Sequence, residues 1–139
     1  MCGIAGLHLI NPDLYPQLGT LLGGMLSQAA GRGNDSAGVG IYTDPSHLTP
    51  GQATVCVLDA QMDATAAAKA VAAQVPWLEG LTAESAGQTT VIRALTDPAS
   101  LETVVRAALD HATVISRGHS LTVLKGTGEP DQLAQDWNL

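Results

Sequence analysis

Apolar positions along this chain recur in two rhythms, one unbroken and one helical. Gly3-Ile4-Ala5-Gly6-Leu7-His8-Leu9-Ile10 is apolar with barely a break. So short a run predicts a buried strand over residues 2–10, and Asn11-Pro12 ends it. Leu18, Leu21, Leu22, Met25, Leu26 and Ala29 then fall at helical spacing, which predicts a helix from Pro16 to Ala30 stopped by Gly31. A glycine-rich turn follows, Gly31-Arg32-Gly33-Asn34-Asp35-Ser36, and Ala37 to Tyr42 predicts a second buried strand.

Pro45, Pro50 and Gly51 mark residues 44–52 as a linker. Beyond it Thr54 to Leu58 predicts a strand, and the Ala-rich stretch Ala64 to Ala73 a helix. Thr89 to Leu95 predicts another strand. Pro98 to about His111 predicts a helix that starts with its proline, and Thr113 to Ile115 and Leu121 to Leu124 predict short strands. Strand and helix alternate here, which predicts a small α/β insertion over 53–126 built from two strand–helix units. The tail 127–139 has no strong period and ends on Asp136-Trp137-Asn138-Leu139.

Composition narrows the core and the partners. Hydrophobic residues make up 45% of the 139 residues, but only 3% are aromatic and Phe is absent. The core therefore rests on Leu, Val, Ile and Ala, each burying little area. Net charge is −7, with Lys plus Arg numbering 6. That argues against a nucleic-acid partner, which needs clustered cations, and against adsorption to anionic membranes. No run of about 18 apolar residues predicts a membrane span. The apolar start lacks the basic flank of a signal peptide. A cytoplasmic setting with reduced thiols is expected for Cys2 and Cys56, and the Asn34-Asp35-Ser36 sequon is read as accidental.

Cys2 carries the sharpest chemistry. Removal of Met1 ahead of so small a residue leaves a thiol and a free α-amine on residue two. The thiolate is the nucleophile and needs a base. An α-amine with a pKa of about 7.7–8.0 accepts a proton near neutrality, so nucleophile and base share one residue. Gly3 leaves room for close approach. An early cysteine is also, in many chains, only a small buried apolar residue.

A second motif bears on that choice. Cys2-Gly3-Ile4-Ala5-Gly6, followed after one helix by Arg32-Gly33-Asn34-Asp35-Ser36-Ala37-Gly38, resembles the class II glutamine amidotransferases. Those enzymes begin Cys-Gly-Ile-x-Gly after processing and carry Arg-Gly-x-Asp-Ser-x-Gly about thirty residues later. Pro, Gln or Tyr is usual where this chain has Asn34. The resemblance implies an α+β fold, part of the four-layer α/β/β/α amino-terminal-nucleophile hydrolase sandwich, with residues 2–43 as its first portion. It implies that Cys2 attacks the side-chain amide of glutamine, releasing ammonia for a synthase partner through a cysteinyl thioester. Arg32, Gly33, Asp35 and Ser36 would form the turn that supports the nucleophile, with no cofactor and no metal. The linker, the insertion, Ser116-Arg117-Gly118-His119-Ser120 and Lys125-Gly126-Thr127-Gly128 resemble one subgroup, the stand-alone amidotransferase subunits of glutamate-synthase-like complexes of the N-methylglutamate synthase kind.

Members of that family continue with a segment like Gly-x-Gly-His-Thr-Arg-x-Ala-Thr, whose Arg binds the glutamine carboxylate, and then with oxyanion-hole residues. These motifs are absent from the 139 residues, so the chain is expected to be the amino-terminal, truncated portion of such a domain. The alternative is a non-catalytic, degenerate subunit of a glutamate-synthase-like complex. Without the resemblance, the Arg32 turn is an ordinary helix-to-strand loop with surface charges. His8, His47, His111 and His119 show no paired ligand spacing with either cysteine, which argues against zinc. His8 on an apolar strand predicts a satisfied core histidine, and Cys56 predicts a core position.

Overall fold

The computed structural model describes residues 3–32 and 35–139. They form an α+β arrangement of two sheets and four helices that divides into two compact units, residues 1–37 with 126–139, and residues 38–125.

The larger unit holds strands β2 (Gln52–Leu58), β3 (Thr82–Ala86), β4 (Thr89–Leu95) and β5 (Thr113–Gly118), with helices α2 (Ala64–Gln74) and α3 (Pro98–Ala108). The strand order is β3-β4-β2-β5, with every neighbouring pair antiparallel. Strand, helix, two strands, helix, strand in that order is the split β-α-β-β-α-β arrangement of ferredoxin-like modules. The alternation consists of β2–α2 and β4–α3, and each helix returns the chain one strand away from the strand it left, so the sheet is antiparallel.

Alternation along the strands explains the core. Ala53, Val55 and Val57 of β2 and Ile92 and Ala94 of β4 bury against Ala67 and Val71 of α2 and Leu101 and Val105 of α3. The small residues of α2 let it approach the sheet closely, and the side chains here are aliphatic throughout, as the composition requires. The intervening residues on β2 and β4, Thr54, Cys56, Thr89 and Val91, are buried too. Both helices start on an aspartate cap: Asp63 accepts the amide of Ala66 at 2.7 Å, and Asp97 accepts those of Ala99 and Ser100 at 3.1 and 3.0 Å. Each cap satisfies donors that the first turn leaves without partners. Gly80 is a position where glycine is required. Its φ is +64°, and a Cβ there would stand 2.9 Å from the Leu95 side chain.

Strands β1 (Ser36–Tyr42) and β6 (Leu121–Thr127) form the second sheet. Past their ends Thr43 N–H donates to Ser120 O at 2.8 Å and Gly128 N–H to Asp35 O at 3.0 Å, so the two run antiparallel. The burial expected of β1 is corrected: Val39 is its one buried residue and Tyr42 is 75% exposed. A two-stranded ribbon offers few neighbours, and Gly38 and Gly40 bring no side chain to bury.

In the smaller unit a 3-10 turn (Pro12–Gln17) leads into α1 (Leu18–Ala29), which packs against α4 (Pro130–Asp136). Helix α4 was not legible as a period in the sequence. It begins with Pro130 and buries Pro130, Leu133 and Ala134, and Trp137 just beyond its end is buried as well. The strand expected over residues 2–10 is corrected for its described part. Residues 3–10 form no strand, and all but the half-buried Leu9 lie exposed, Ile4 and Ile10 almost fully. Among the described residues no strand pairs with this segment, and a strand without a neighbour leaves its backbone groups to water.

Candidate functional site

The residues singled out by the motif pair enter the structure unevenly. Cys2 and Gly33 lie outside the described residues. Arg32 closes a 3-10 turn, Ala30–Arg32, that continues α1. Asp35 and Ser36 are exposed, and Ser36 opens β1. A helix and its 3-10 extension thus precede residues 33–34 and a strand follows them. Asp35 is tied down through its backbone carbonyl, which accepts the Gly128 amide at 3.0 Å. That contact joins two segments the sequence kept apart, the turn at 35 and the Lys125-Gly126-Thr127-Gly128 stretch. The two runs around them, Ser36–Tyr42 and Leu121–Thr127, are equal in length at seven residues. The runs legible in the sequence, six residues from Ala37 and four from Leu121, give no such match, so their pairing was not legible there.

The other reactive side chains are accounted for by packing and surface contacts. Cys56 is fully buried in β2, opposite Val91 and Ser116 on the neighbouring strands, as its apolar strand predicts. His8 is exposed, which corrects the core position expected for it; the segment that would have buried it is not in a sheet. The Nδ1 atom of His119 lies 2.9 Å from the Gln52 carbonyl, and His111 faces Asp110 at 3.3 Å. Among the described residues no group of three or more His, Cys, Asp or Glu could hold a metal ion.

Among the described residues a charge cluster lies between α3 and β5. Glu102 accepts from Arg106 at 2.8 Å and pairs with Arg117 on β5, its side chain only 16% exposed. The Arg106 hydrogen bond, with Arg117 beside it, holds the Glu102 carboxyl below the usual glutamate range. A groove of about 380 Å³ opens along α3, lined by Trp77, Leu78, Glu79, Leu95 and Leu101 among others. Its lining holds neither a thiol nor an imidazole.

Among known proteins, the chain is 48% identical over 61 residues to the glutamine amidotransferase-like protein GlxB of Rhizobium meliloti (strain 1021). The matched stretch is 44% of this chain and 19% of that protein, so the chain spans about a fifth of the relative it matches. No family model matches the chain, and no solved structure matches it. No helix among the described residues is long and apolar enough to cross a membrane.

Proposed function

We propose that this chain is part of a class II glutamine amidotransferase whose nucleophile is Cys2. One observation carries the reading: Cys2-Gly3-Ile4-Ala5-Gly6 and Arg32-Gly33-Asn34-Asp35-Ser36-Ala37-Gly38 occur together, in order, one helix apart. The partial identity with a glutamine amidotransferase-like protein supports the amidotransferase type.

Once Met1 is removed, the Cys2 α-amine takes the thiol proton and the thiolate adds to the side-chain carbonyl carbon of glutamine. The proton passes to the amide nitrogen, the carbon–nitrogen bond breaks, and ammonia leaves a γ-glutamyl thioester. Water, deprotonated by the same amine, attacks the thioester; glutamate leaves and the thiol is restored. Arg32, Gly33, Asp35 and Ser36 form the turn beside the nucleophile, in a sandwich of the amino-terminal-nucleophile hydrolase type. Ammonia passes to a synthase subunit of a glutamate-synthase-like complex.

The test uses protein purified from its own cells. Intact mass is expected to lack Met1, and ammonia and glutamate are expected in equal amounts from glutamine, with both lost in Cys2→Ala. Retention of Met1, or full activity in Cys2→Ala, overturns the reading. A free Cys2 amine without turnover favours the non-catalytic subunit instead. The 139 residues by themselves are expected to hydrolyse glutamine very slowly. They lack the arginine and oxyanion donors that hold the substrate in the family, and one such donor is worth roughly 10²–10³ in rate.

A further inference from the structure

Of the two tryptophans in the sequence, Trp137 is 5% exposed and Trp77 is 79% exposed. The backbone that carries Trp77 is fixed. Past α2, Leu78 N–H donates to Val75 O at 3.1 Å, and Leu95 N–H, at the end of β4, donates to Glu79 O at 2.8 Å. Gly80 turns the chain with φ +64°, and the Leu95 side chain fills the space its Cβ would need. An indole left in water on a fixed backbone marks an interaction surface. Trp77, Leu78 and Glu79 line the groove of about 380 Å³ together with Leu95 and, from α3, Leu101 and Val104. The charge of this groove is unanswered. Glu79 is the one ionisable residue of its lining. Among the described residues Glu79 enters no ion pair, whereas Glu84 pairs with Arg93 and Glu102 with Arg106 and Arg117. A cation for Glu79 therefore comes from outside. An indole face attracts a cation as well, and the net charge of −7 pulls the same way.

We propose that this groove docks a basic amphipathic helix of a partner protein, its aliphatic side chains against Leu95, Leu101 and Val104 and a Lys or Arg one turn away beside Trp77 and Glu79. An open groove along a helix takes the apolar face of a second helix through residues three and four apart. A small amine would fill the groove and leave most of Trp77 in water; a helix covers both. Exposed tryptophans beside apolar pockets are where binding energy concentrates in such contacts. The groove lies within residues 38–125 and depends neither on Cys2 nor on the amidotransferase reading.

The full chain is titrated with three probes that contain no tryptophan. One is an amphipathic peptide of Leu and Lys of about 14 residues, long enough to form a helix. The second has Glu in place of every Lys, and the third is n-hexylamine. Calorimetry gives the affinities, and tryptophan emission reports whether Trp77 leaves water. The Lys peptide is expected to bind with micromolar affinity and to shift the emission to the blue, and the Glu peptide to bind about tenfold more weakly or worse. Trp77→Ala is expected to remove the shift and weaken binding about tenfold, and Glu79→Gln to weaken it about fivefold and flatten its salt dependence. Glu84→Gln, outside the groove, is expected to leave binding unchanged. All three side chains belong to exposed residues, so the variants fold as the wild type does. No binding of the Lys peptide, equal binding of the Glu peptide, or equal weakening in Glu84→Gln overturns the docking site. Binding without a blue shift puts the peptide elsewhere and overturns it too. An equal blue shift with n-hexylamine at the same concentration overturns the partner helix in favour of a small amine.

Discussion

The hydroxyl of Thr89 donates to the Lys125 carbonyl at 2.8 Å and accepts the Lys125 amide at 2.9 Å. Both backbone groups of a strand residue point to the same edge, so one side chain from β4 satisfies the edge of β6 that β1 does not cover. Thr89 is fully buried, which makes its hydroxyl a polar group admitted to the interior for this purpose. Thr89→Val keeps the shape and removes the hydroxyl, leaving both Lys125 groups without that partner. We expect a loss of about 1–3 kcal/mol, read as a lower urea midpoint at unchanged slope, and a smaller loss in Thr89→Ser. A Thr89→Val protein as stable as wild type would show that water replaces the hydroxyl at no cost.

Leu101 is the side chain through which α3 fills the larger unit. It is fully buried in the cluster that contains Val55, Val57, Ile92 and Val105. Removing its branched side chain would leave a cavity among these aliphatic neighbours. Leu101→Ala is expected to destabilise by about 2–5 kcal/mol, measured by chemical denaturation. Arg106→Ala, on the exposed side of the same helix, is expected to cost far less, because ion pairs at the surface contribute little.

Much of the larger unit was legible in the sequence, and the reason is visible in its residues. The apolar runs of β2 and β4 and the capped, periodic α2 and α3 carry local signals that agree with their tertiary roles. Strand β3, Thr-Ala-Glu-Ser-Ala, carries none. It exists because β4 pairs with it at the sheet edge, with Arg93 meeting Glu84 at 3.0 Å. Helix α4 is seven residues long, too short for a 3.6-residue period to declare itself. Residues 3–10 show the opposite failure: a strong strand signal without a strand to pair with. The motif pair around Cys2 and Arg32 was readable because its residue types and order are unusual together, whereas the Gly128–Asp35 bond depends on a backbone angle that no composition reveals.

Acid is expected to weaken the α3 edge of the larger unit. Glu102 is held below the usual glutamate range, first by the Arg106 hydrogen bond and then by Arg117; Asp97 is held below the usual aspartate range chiefly by its bond to Ser100. Folded-state values below the unfolded ones mean that these carboxylates add stability above the unfolded pKa. That stability is lost as the pH falls through the ordinary carboxylate range, about 4, and below it. Denaturation midpoints are expected to be flat from neutral pH to about pH 5 and then to fall. Glu102→Gln is expected to have a shallower acid limb. An identical acid limb in Glu102→Gln and wild type would remove this pair from the account.

The two thiols are expected to differ sharply in reactivity. Cys56 has no exposed surface, sits between Val91 and Ser116 on its neighbouring strands, and forms no disulfide. A fully buried thiol is out of reach of a reagent, so it reacts only when the sheet opens. Cys2, in the amidotransferase reading, carries its own base, and its thiolate fraction is set by the neighbouring amine. Alkylation with iodoacetamide and peptide mapping is expected to label Cys2 first at neutral pH, and Cys56 only once urea approaches the unfolding midpoint. Acetylating the Cys2 amine is expected to slow its labelling at pH 7 while leaving Cys56 unaffected, because that change removes the base and nothing else near β2. Faster labelling of Cys56 than of Cys2 in the native protein would contradict both the burial of β2 and the role given to the amino terminus.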